Sequence, residues 1–459
     1  MKKIICLLLI FIFAFPLVSC NKAKAYINGV SVGNYSIVYS DDDTDYSKRA
    51  AKYIQSEIEI RTGHKLKLVE DDTKKAKHEI VVGNTNRGIS DKLSEDADTK
   101  GLEFAILADN GSIAIQGDYF IIAAAAYFFI DSYVPGGDHK AIVPSKISIH
   151  KPIVKEAKNF ILLIGDGMGY NQTKLFEQLE NDVEFGDGED IFYGHLFPYH
   201  GFSRTNSLTG TTDSAAGGTA LACGTKTNNR YVGKDAEGND IKNMTELAYE
   251  LGKSAGVLSS DKDTGATPST FSAHVLDRYD DSKEILQDQT AARQNYGTII
   301  ECGFDYYKSK DIDEIIEVYI TDTLNELSEN ENGFFLMYEE AHIDKHCDDM
   351  DMARAFKAMV RFNQAIGRFM EFAFYNPDTF VLITADHETG GLIYNESGSL
   401  EFTTTEHTGV NVPIFAYGAG AELFDGVEIE NIQIAHTIAA LMGESNFGDQ
   451  SEYQSLTKN

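Results

Sequence analysis

The residues best suited to chemistry stand at the ends of short apolar runs. In "NFILLIGDGMG" (159–169), Asp166 follows a buried-type strand between Gly165 and Gly167, which would leave backbone room around its carboxylate, although Asp-Gly is also a common turn pair. In "TTDSAAGGTALACGTKT" (211–227), Ser214 precedes a run of small residues and a short predicted helix. A serine at a helix start sees backbone N–H groups that can receive an anion, and small neighbours permit close approach. The same pattern also describes a serine that merely caps the helix. There is no Gly-x-Ser-x-Gly elbow, which disfavours an ordinary esterase triad. "GATPSTFSAHVLDR" (265–278) puts Thr267 at a strand-to-helix turn, with Arg278 about three helical turns further on. Arginine can clamp a phosphate through two parallel hydrogen bonds. "ADHETGG" (385–391) pairs Asp386 with His387 after a strand, and carboxylate plus imidazole suits zinc. His407 stands in a loop before a further strand. Finally, "FFLMYEEAHIDKHCDDMDM" (334–352) crowds Glu339, Glu340, His342, Asp344, His346, Cys347, Asp348 and Asp349 together.

These groups need a scaffold that brings strand ends together. Segments that open on apolar runs, at 159–169, 254–268, 333–344, 379–391 and 412–420, alternate with helical patterns such as 354–374 and 432–442. That alternation predicts a doubly wound, mainly parallel α/β sheet covered on both faces. Ligands gather at the carboxyl ends of strands in such sheets, and the polar residues follow every run here but the last. Residues 21–150 read as a separate, smaller α/β domain. It has strands at 35–40, 64–70 and 78–85, a helix around 46–61 and a hairpin turning on Asp109-Asn110-Gly111. The apolar stretch 119–134 reads as a helix covering its sheet. "IHKPIVKEAKN" (149–159) is the expected linker to a larger domain at 159–459.

The chain has 459 residues and a formal net charge of −31, which argues against a nucleic-acid partner because phosphate backbones require a cationic face. Residues 1–20 form a different kind of segment: a basic "MKK", an apolar stretch too short to span, then "LVSC". This looks like a bacterial lipoprotein signal with Cys20 as the lipidated residue, giving an exported protein anchored to a membrane face; an ordinary cleaved signal peptide is the other reading. Three scattered cysteines remain (Cys223, Cys302 and Cys347), which do not make a disulfide framework.

Taken in order, Asp-Gly, Asp-Ser-Ala, Ala-Thr-Pro, Glu…Ile-Asp, Asp-His-Glu and His-Thr-Gly resemble the alkaline phosphatase family across residues 159–443. The resemblance implies a doubly wound α/β fold, two Zn²⁺ and one Mg²⁺, and hydrolysis of phosphate monoesters through a phosphoserine. It implies that Ser214 is the nucleophile and that Asp166 bridges one zinc and the magnesium. Thr267 and Glu339 would complete the magnesium site. Asp386 and His387 would hold the zinc that activates Ser214, while Asp344 and His407 would hold the other. Arg278 would grip two phosphoryl oxygens with Asp213 beside it, and Lys345 would face the phosphate. Glu340, His342, Cys347 and Asp349 remain packing or solvent residues. In topology, the segment 22–150 resembles the accessory α/β domain of some glycoside hydrolases such as the α-glucuronidases.

The chain departs from the family pattern at several points. The family carries a histidine four residues after the Asp344 position, and here that residue is Asp348. Asp348 could ligate, His346 could substitute, or the site could be weakened or prefer a harder ion. Gly265 stands where members often carry an Asp or His near the magnesium and phosphate. Only nineteen residues separate His387 from His407, where many members insert a larger subdomain. Two other functions therefore stay open: a phosphodiesterase or other ester hydrolase of the same superfamily, and a surface binding protein with a degenerate site. The sequence leaves the oligomeric state unknown.

Overall fold

The structure is a computed structural model describing residues 22–179, 191–303 and 316–457. The leader and Cys20 lie outside the described residues. The chain divides into two compact units. The first includes residues up to Ala97, Ala105–Gln116 and Ala125–Ser148. The second takes Asp98–Phe104, Gly117–Ala124 and everything from Ile149 onward, so the division is not a single cut in the chain.

In the first unit, strands Ser36–Tyr39, Lys67–Glu70, Glu79–Val82 and Ser112–Gln116 run parallel. Phe104–Asp109 folds back antiparallel on Ser112–Gln116 in the register Asp109↔Ser112. The turn between them is the expected one. Asn110 and Gly111 both have positive φ, at 48° and 84°, the backbone twist that a two-residue hairpin loop needs. Helix Asp45–Thr62 starts at a Thr44 cap and buries the stripe Ala50, Ala51, Ile54 and Ile58.

The second unit is built on an eight-stranded sheet. In chain order its strands are β1 (Asn159–Gly165), β2 (Tyr199–Arg204), β3 (Ser254–Ser259), β4 (Ile299–Cys302), β5 (Phe334–Glu340), β6 (Thr379–Thr384), β7 (Val412–Tyr417) and β8 (Glu428–Glu430). The spatial order is β4-β3-β5-β1-β6-β7-β2-β8. All pairings are parallel except those of β7 with β6 and β2. The reversal of β7 explains why its apolar run is the one not followed by chemistry: its carboxyl end points away from the others. Strands β1, β5 and β6 are buried along their whole length, so they read as continuous apolar runs rather than alternating ones. Strands β2, β4 and β8 escape a pattern search because they are short or partly exposed.

Helices cover both faces. On one face α1 (Ser214–Cys223) and α5 (Asn431–Met442) share a core with Leu162, Ile164, Met337 and Leu382. Between α1 and α5 in the chain come α2 (Ala266–Thr270), α3 (His342–Asp348) and α4 (Met352–Tyr375). On the other face Phe362 and Phe369 of α4 pack on Tyr338, with ring centroids 6.3 and 5.3 Å apart. Each such fully buried large side chain contributes about 1.5–3 kcal/mol. No helix among the described residues is long and apolar enough to cross a membrane.

Candidate active site and metal centre

The three central strands, β5, β1 and β6, carry the carboxylates. Their parallel register sets Ile164 opposite both Glu339 and Thr384, so Glu339, Asp166 and Asp386 emerge side by side at one sheet edge. Gly167 lets the segments converge. Its φ is +75°, and a Cβ there would lie 2.8 Å from the Asp344 Cα. Its N–H donates to Asp386 Oδ1 at 3.3 Å, and its carbonyl accepts from Thr389 N at 3.1 Å.

Ser214 opens α1 but does not cap it. Asp213 is the cap, its Oδ1 accepting from Ala216 N at 2.9 Å. The Ser214 hydroxyl is thus left facing His387, 3.3 Å from Nε2, in a site where the serine is 4% exposed. The other oxygen of Asp213 accepts from Arg230 N at 2.9 Å and lies 4.0 Å from the Arg278 guanidinium. Arg278 is not on a helix, contrary to the three-turn expectation. The helix after Gly265 ends at Thr270, and an antiparallel bridge between Val232 and Val275 carries the following loop back towards Ser214.

His407 arrives through a short ribbon in which it pairs with Thr389. Its ring stacks on that of His387 with centroids 3.6 Å apart. His407 Nδ1 donates to the Thr212 carbonyl at 2.9 Å, which turns Nε2 towards Asp344, 3.5 Å away. Thr389 orders the other ring. Its hydroxyl donates to Asp344 Oδ1 at 2.6 Å and therefore accepts from His387 Nδ1 at 3.1 Å. Both rings thus turn their Nε2 atoms to the site.

This arrangement fits divalent cations. Asp166, Asp386 and His387 form one group of ligand atoms within 4.8 Å of one another, and Asp344, His387 and His407 form a second. Burial, then the neighbouring His407 and Arg278, pushes His387 well below its usual range, so its ring is neutral. Its Nε2 lone pair faces Asp386 Oδ2 at 3.3 Å and Asp166 Oδ1 at 3.4 Å, and both oxygens are buried without a hydrogen-bond donor. Three electron-rich atoms converge there, an arrangement that a cation between them would stabilise. Burial raises the carboxyls of Asp166 and Asp386, and neighbouring carboxylates raise them further. Glu339 is raised by burial and then by Asp261, against the opposing hydroxyls of Ser259 and Thr267. Thr267 and Glu339 thus stand together beside Asp166.

The crowded segment divides by helical face. Asp344 and Asp348 lie one turn apart on α3. Burial and then Asp344 raise the Asp348 carboxyl to about 6, while His407 opposes the rise. His346 faces elsewhere: its ring is 6.0 Å from that of His342, and burial, then His342, Arg354 and Arg361, lower it to about 4. Neither Asp348 nor His346 joins the two groups of converging ligand atoms. Glu340 is fully buried and accepts from the Ser260 hydroxyl at 3.2 Å, with Arg361 3.6 Å away. Cys347 is also buried. Lys345 reaches Asp261, Nζ to Oδ1 2.5 Å; burial lowers its pKa, but Asp261, Glu339 and Asp166 together raise it and keep it charged. Asp261 has no signal in the sequence, because "SSDKD" reads as an ordinary polar loop after β3.

The fold and this donor set define a candidate metal centre at the strand ends of an α/β sheet. The family model described as alkaline phosphatase matches residues 157–316 and 304–398, together more than half of the chain. The chain belongs to the alkaline phosphatase family. It is 24% identical over 421 residues to alkaline phosphatase 4 of Bacillus subtilis, spanning 65% of this chain and 91% of that protein. Alkaline phosphatase from the Antarctic bacterium TAB5 is 26% identical, with a TM-score of 0.53 over 63% of this chain and 98% of that one. A cold-active alkaline phosphatase from Shewanella sp., at 22% identity and a TM-score of 0.55, covers 62% of this chain and 100% of its own and shares the fold.

Proposed function

We propose that the protein is a phosphomonoesterase that works through a phosphoserine on Ser214 with two Zn²⁺ and one Mg²⁺. The observation that carries this reading is the Ser214 hydroxyl standing 3.3 Å from His387 Nε2, beside the buried Asp166 and Asp386 oxygens that lack donors. Asp166, Asp386 and His387 would hold one zinc, and Asp344 and His407 the other with Asp348. Asp166, Thr267 and Glu339 would hold the magnesium. When bound, these ions supply Lewis acidity, lowering the pKa of the serine hydroxyl and of water and offsetting charge on the reacting oxygens.

The chain's own groups do the rest. Thr389 and the Thr212 carbonyl fix the tautomers of His387 and His407. Asp213 takes over the helix cap, so the Ser214 oxygen is free to attack phosphorus as the bond to the leaving alcohol breaks. Arg278 binds two phosphoryl oxygens, its guanidinium held near Asp213 and over the Tyr279 ring at 5.0 Å. Water then attacks the phosphoserine, releasing phosphate and restoring the hydroxyl.

The test compares p-nitrophenyl phosphate with bis-p-nitrophenyl phosphate, with Zn²⁺ and Mg²⁺ present, for the parent and Ser214→Ala. The expected result is preferential monoester turnover by the parent, with kcat of the variant lower by at least about 10³, the scale of losing a covalent nucleophile. A parent that cleaves only the diester would refute the reading in favour of a phosphodiesterase.

A further inference from the structure

The loop that carries Arg278 pairs with a second segment whose backbone is strained. Val232 and Val275 exchange backbone hydrogen bonds of 2.9 Å in each direction, and Arg278 N donates to the Arg230 carbonyl at 3.0 Å. Arg230 N in turn donates to Asp213 Oδ2 at 2.9 Å. Arg230 has φ +76°, in the left-handed region where a bulky side chain is rare. Strain of this kind persists only where surrounding contacts impose it, and it collects at ligand clamps. Here Asp213 and Arg278 hold the strained backbone from both sides. The result is a second arginine set beside Arg278.

The Arg230 guanidinium is held at one corner. Its Nη2 donates to Asp277 Oδ1 at 2.9 Å and stands 2.8 Å from Oδ2. Among the described residues its Nε and Nη1 meet no acceptor, and the side chain is 49% exposed. Asp277 is itself fixed, its Oδ1 accepting from Tyr279 N at 2.9 Å and from Asp280 N at 3.1 Å. The exposed Tyr279 ring contacts both arginines. Its centroid is 5.2 Å from the Arg230 guanidinium carbon and 5.0 Å from that of Arg278, so the two cations are no more than about 10 Å apart. An exposed ion pair contributes little to folding and does not require a strained backbone. What the arrangement does supply is a pre-oriented cation with unused donors, next to the arginine of the phosphoryl clamp.

We propose that Arg230, steadied by Asp277 and Tyr279, receives a second anionic group on the alcohol side of the substrate, so that the preferred monoesters are those whose alcohol carries a further phosphate or carboxylate. This rests on the phosphatase reading. Arg278 takes two oxygens of the phosphoryl group that is transferred, and the unused Arg230 donors take the second anion. The spacing of the two guanidiniums suits anions joined through a short carbon chain. The net charge of −31 opposes a highly charged substrate at a distance, so a preference for one has to come from a local cation.

The test measures initial rates of the metal-loaded protein on 3-phosphoglycerate and on glycerol 1,3-bisphosphate, each against glycerol 3-phosphate, which lacks the second anion. Arg230→Gly removes the guanidinium and suits the positive φ, so the loop keeps its shape. The variant is expected to lower the kcat/KM ratio of the doubly anionic substrate to glycerol 3-phosphate about tenfold, mainly through KM, the scale of one charge-assisted hydrogen bond. The larger of the two falls identifies carboxylate or phosphate as the group received. Arg230→Asn, also tolerated at positive φ, gives the same fall. The proposal is overturned if both ratios stay at the parent value in these variants. It is equally overturned if the largest loss is on p-nitrophenyl phosphate, which would make the rim a stacking surface for aromatic groups. A parent that hydrolyses p-nitrophenyl phosphate while the ratios do not move refutes this proposal alone. A metal-loaded parent that hydrolyses no monoester refutes the phosphatase reading, and this proposal with it.

Discussion

Asp348 and His346 lie two residues apart on one short helix, and the turn of that helix separates them. A residue four positions along an α-helix lies nearly above the first, whereas one two positions along points away. Asp348 therefore shares a face with Asp344, and its neighbours are Asp344 and His407. His346 is neighboured instead by His342, Arg354, Arg361 and Asp351, where two guanidinium groups oppose a metal ion. Asp348→Ala is expected to lose up to one metal equivalent per chain, measured by elemental analysis after dialysis, while His346→Ala keeps its full complement. Retention of metal by the first and loss by the second would reverse the assignment. The same residues show how far a sequence can be read. Asp166, Ser214, Glu339, Asp386 and His387 stand out because each directly follows a recognisable apolar strand or opens a small-residue helix. Asp261, Thr389 and the capping role of Asp213 do not, because their importance lies in which single hydrogen bond a side chain makes, and composition carries no record of that.

At the level of elements, the loop bearing Arg278 is the part least visible beforehand, since it looks like a continuing helix and is not. It is held by His274, which bridges two segments. His274 Nδ1 donates to the Gly233 carbonyl at 2.9 Å, and Nε2 faces Glu246 Oε1 at 3.3 Å, in the first turn of helix Met244–Glu250. Both ring nitrogens have acceptors, so the imidazolium is the favoured form. Burial lowers the His274 pKa, but Glu246 and the Gly233 carbonyl more than compensate and raise it above 6.5. Burial raises Glu246, but His274 and the Asn243 backbone more than offset that and lower it below 4.5. The histidine's contribution to stability is complete below its unfolded pKa and is lost as pH rises through the higher folded value. The glutamate's contribution is present above 4.5 and lost as pH falls through its lower folded value. The pair is therefore strongest between these limits and is gone in alkaline solution. His274→Gln is expected to lower thermal stability at pH 6 by about 0.5–1.5 kcal/mol, the scale of a lost hydrogen bond, and by clearly less at pH 9. Equal losses at both pH values would show that His274 acts by packing alone. The strands were easier to read than this loop, because full burial writes apolar residues into every position of β1, β5 and β6, whereas a loop is specified by a few polar contacts.

At the scale of the whole molecule, the net charge of −31 sets a long-range field that the proposed dianionic substrate must approach. Close to the proposed reacting centre the sign would differ: Arg278, Lys345 and the proposed divalent ions would attract phosphate at short range. The two contributions separate by distance. Salt at 0.1 M screens beyond about 10 Å, so it removes the repulsion of remote carboxylates while leaving contacts inside the site largely intact. Raising sodium chloride from 20 to 200 mM at fixed metal concentration is therefore expected to increase kcat/KM for p-nitrophenyl phosphate about two- to fivefold, with kcat nearly unchanged, because free enzyme and free substrate feel the remote field and the bound complex feels it less. A decline of kcat/KM over the same range would mean that the cationic groups at the strand ends govern the approach. The acidity of the chain would then be a property of its surface that leaves substrate capture untouched.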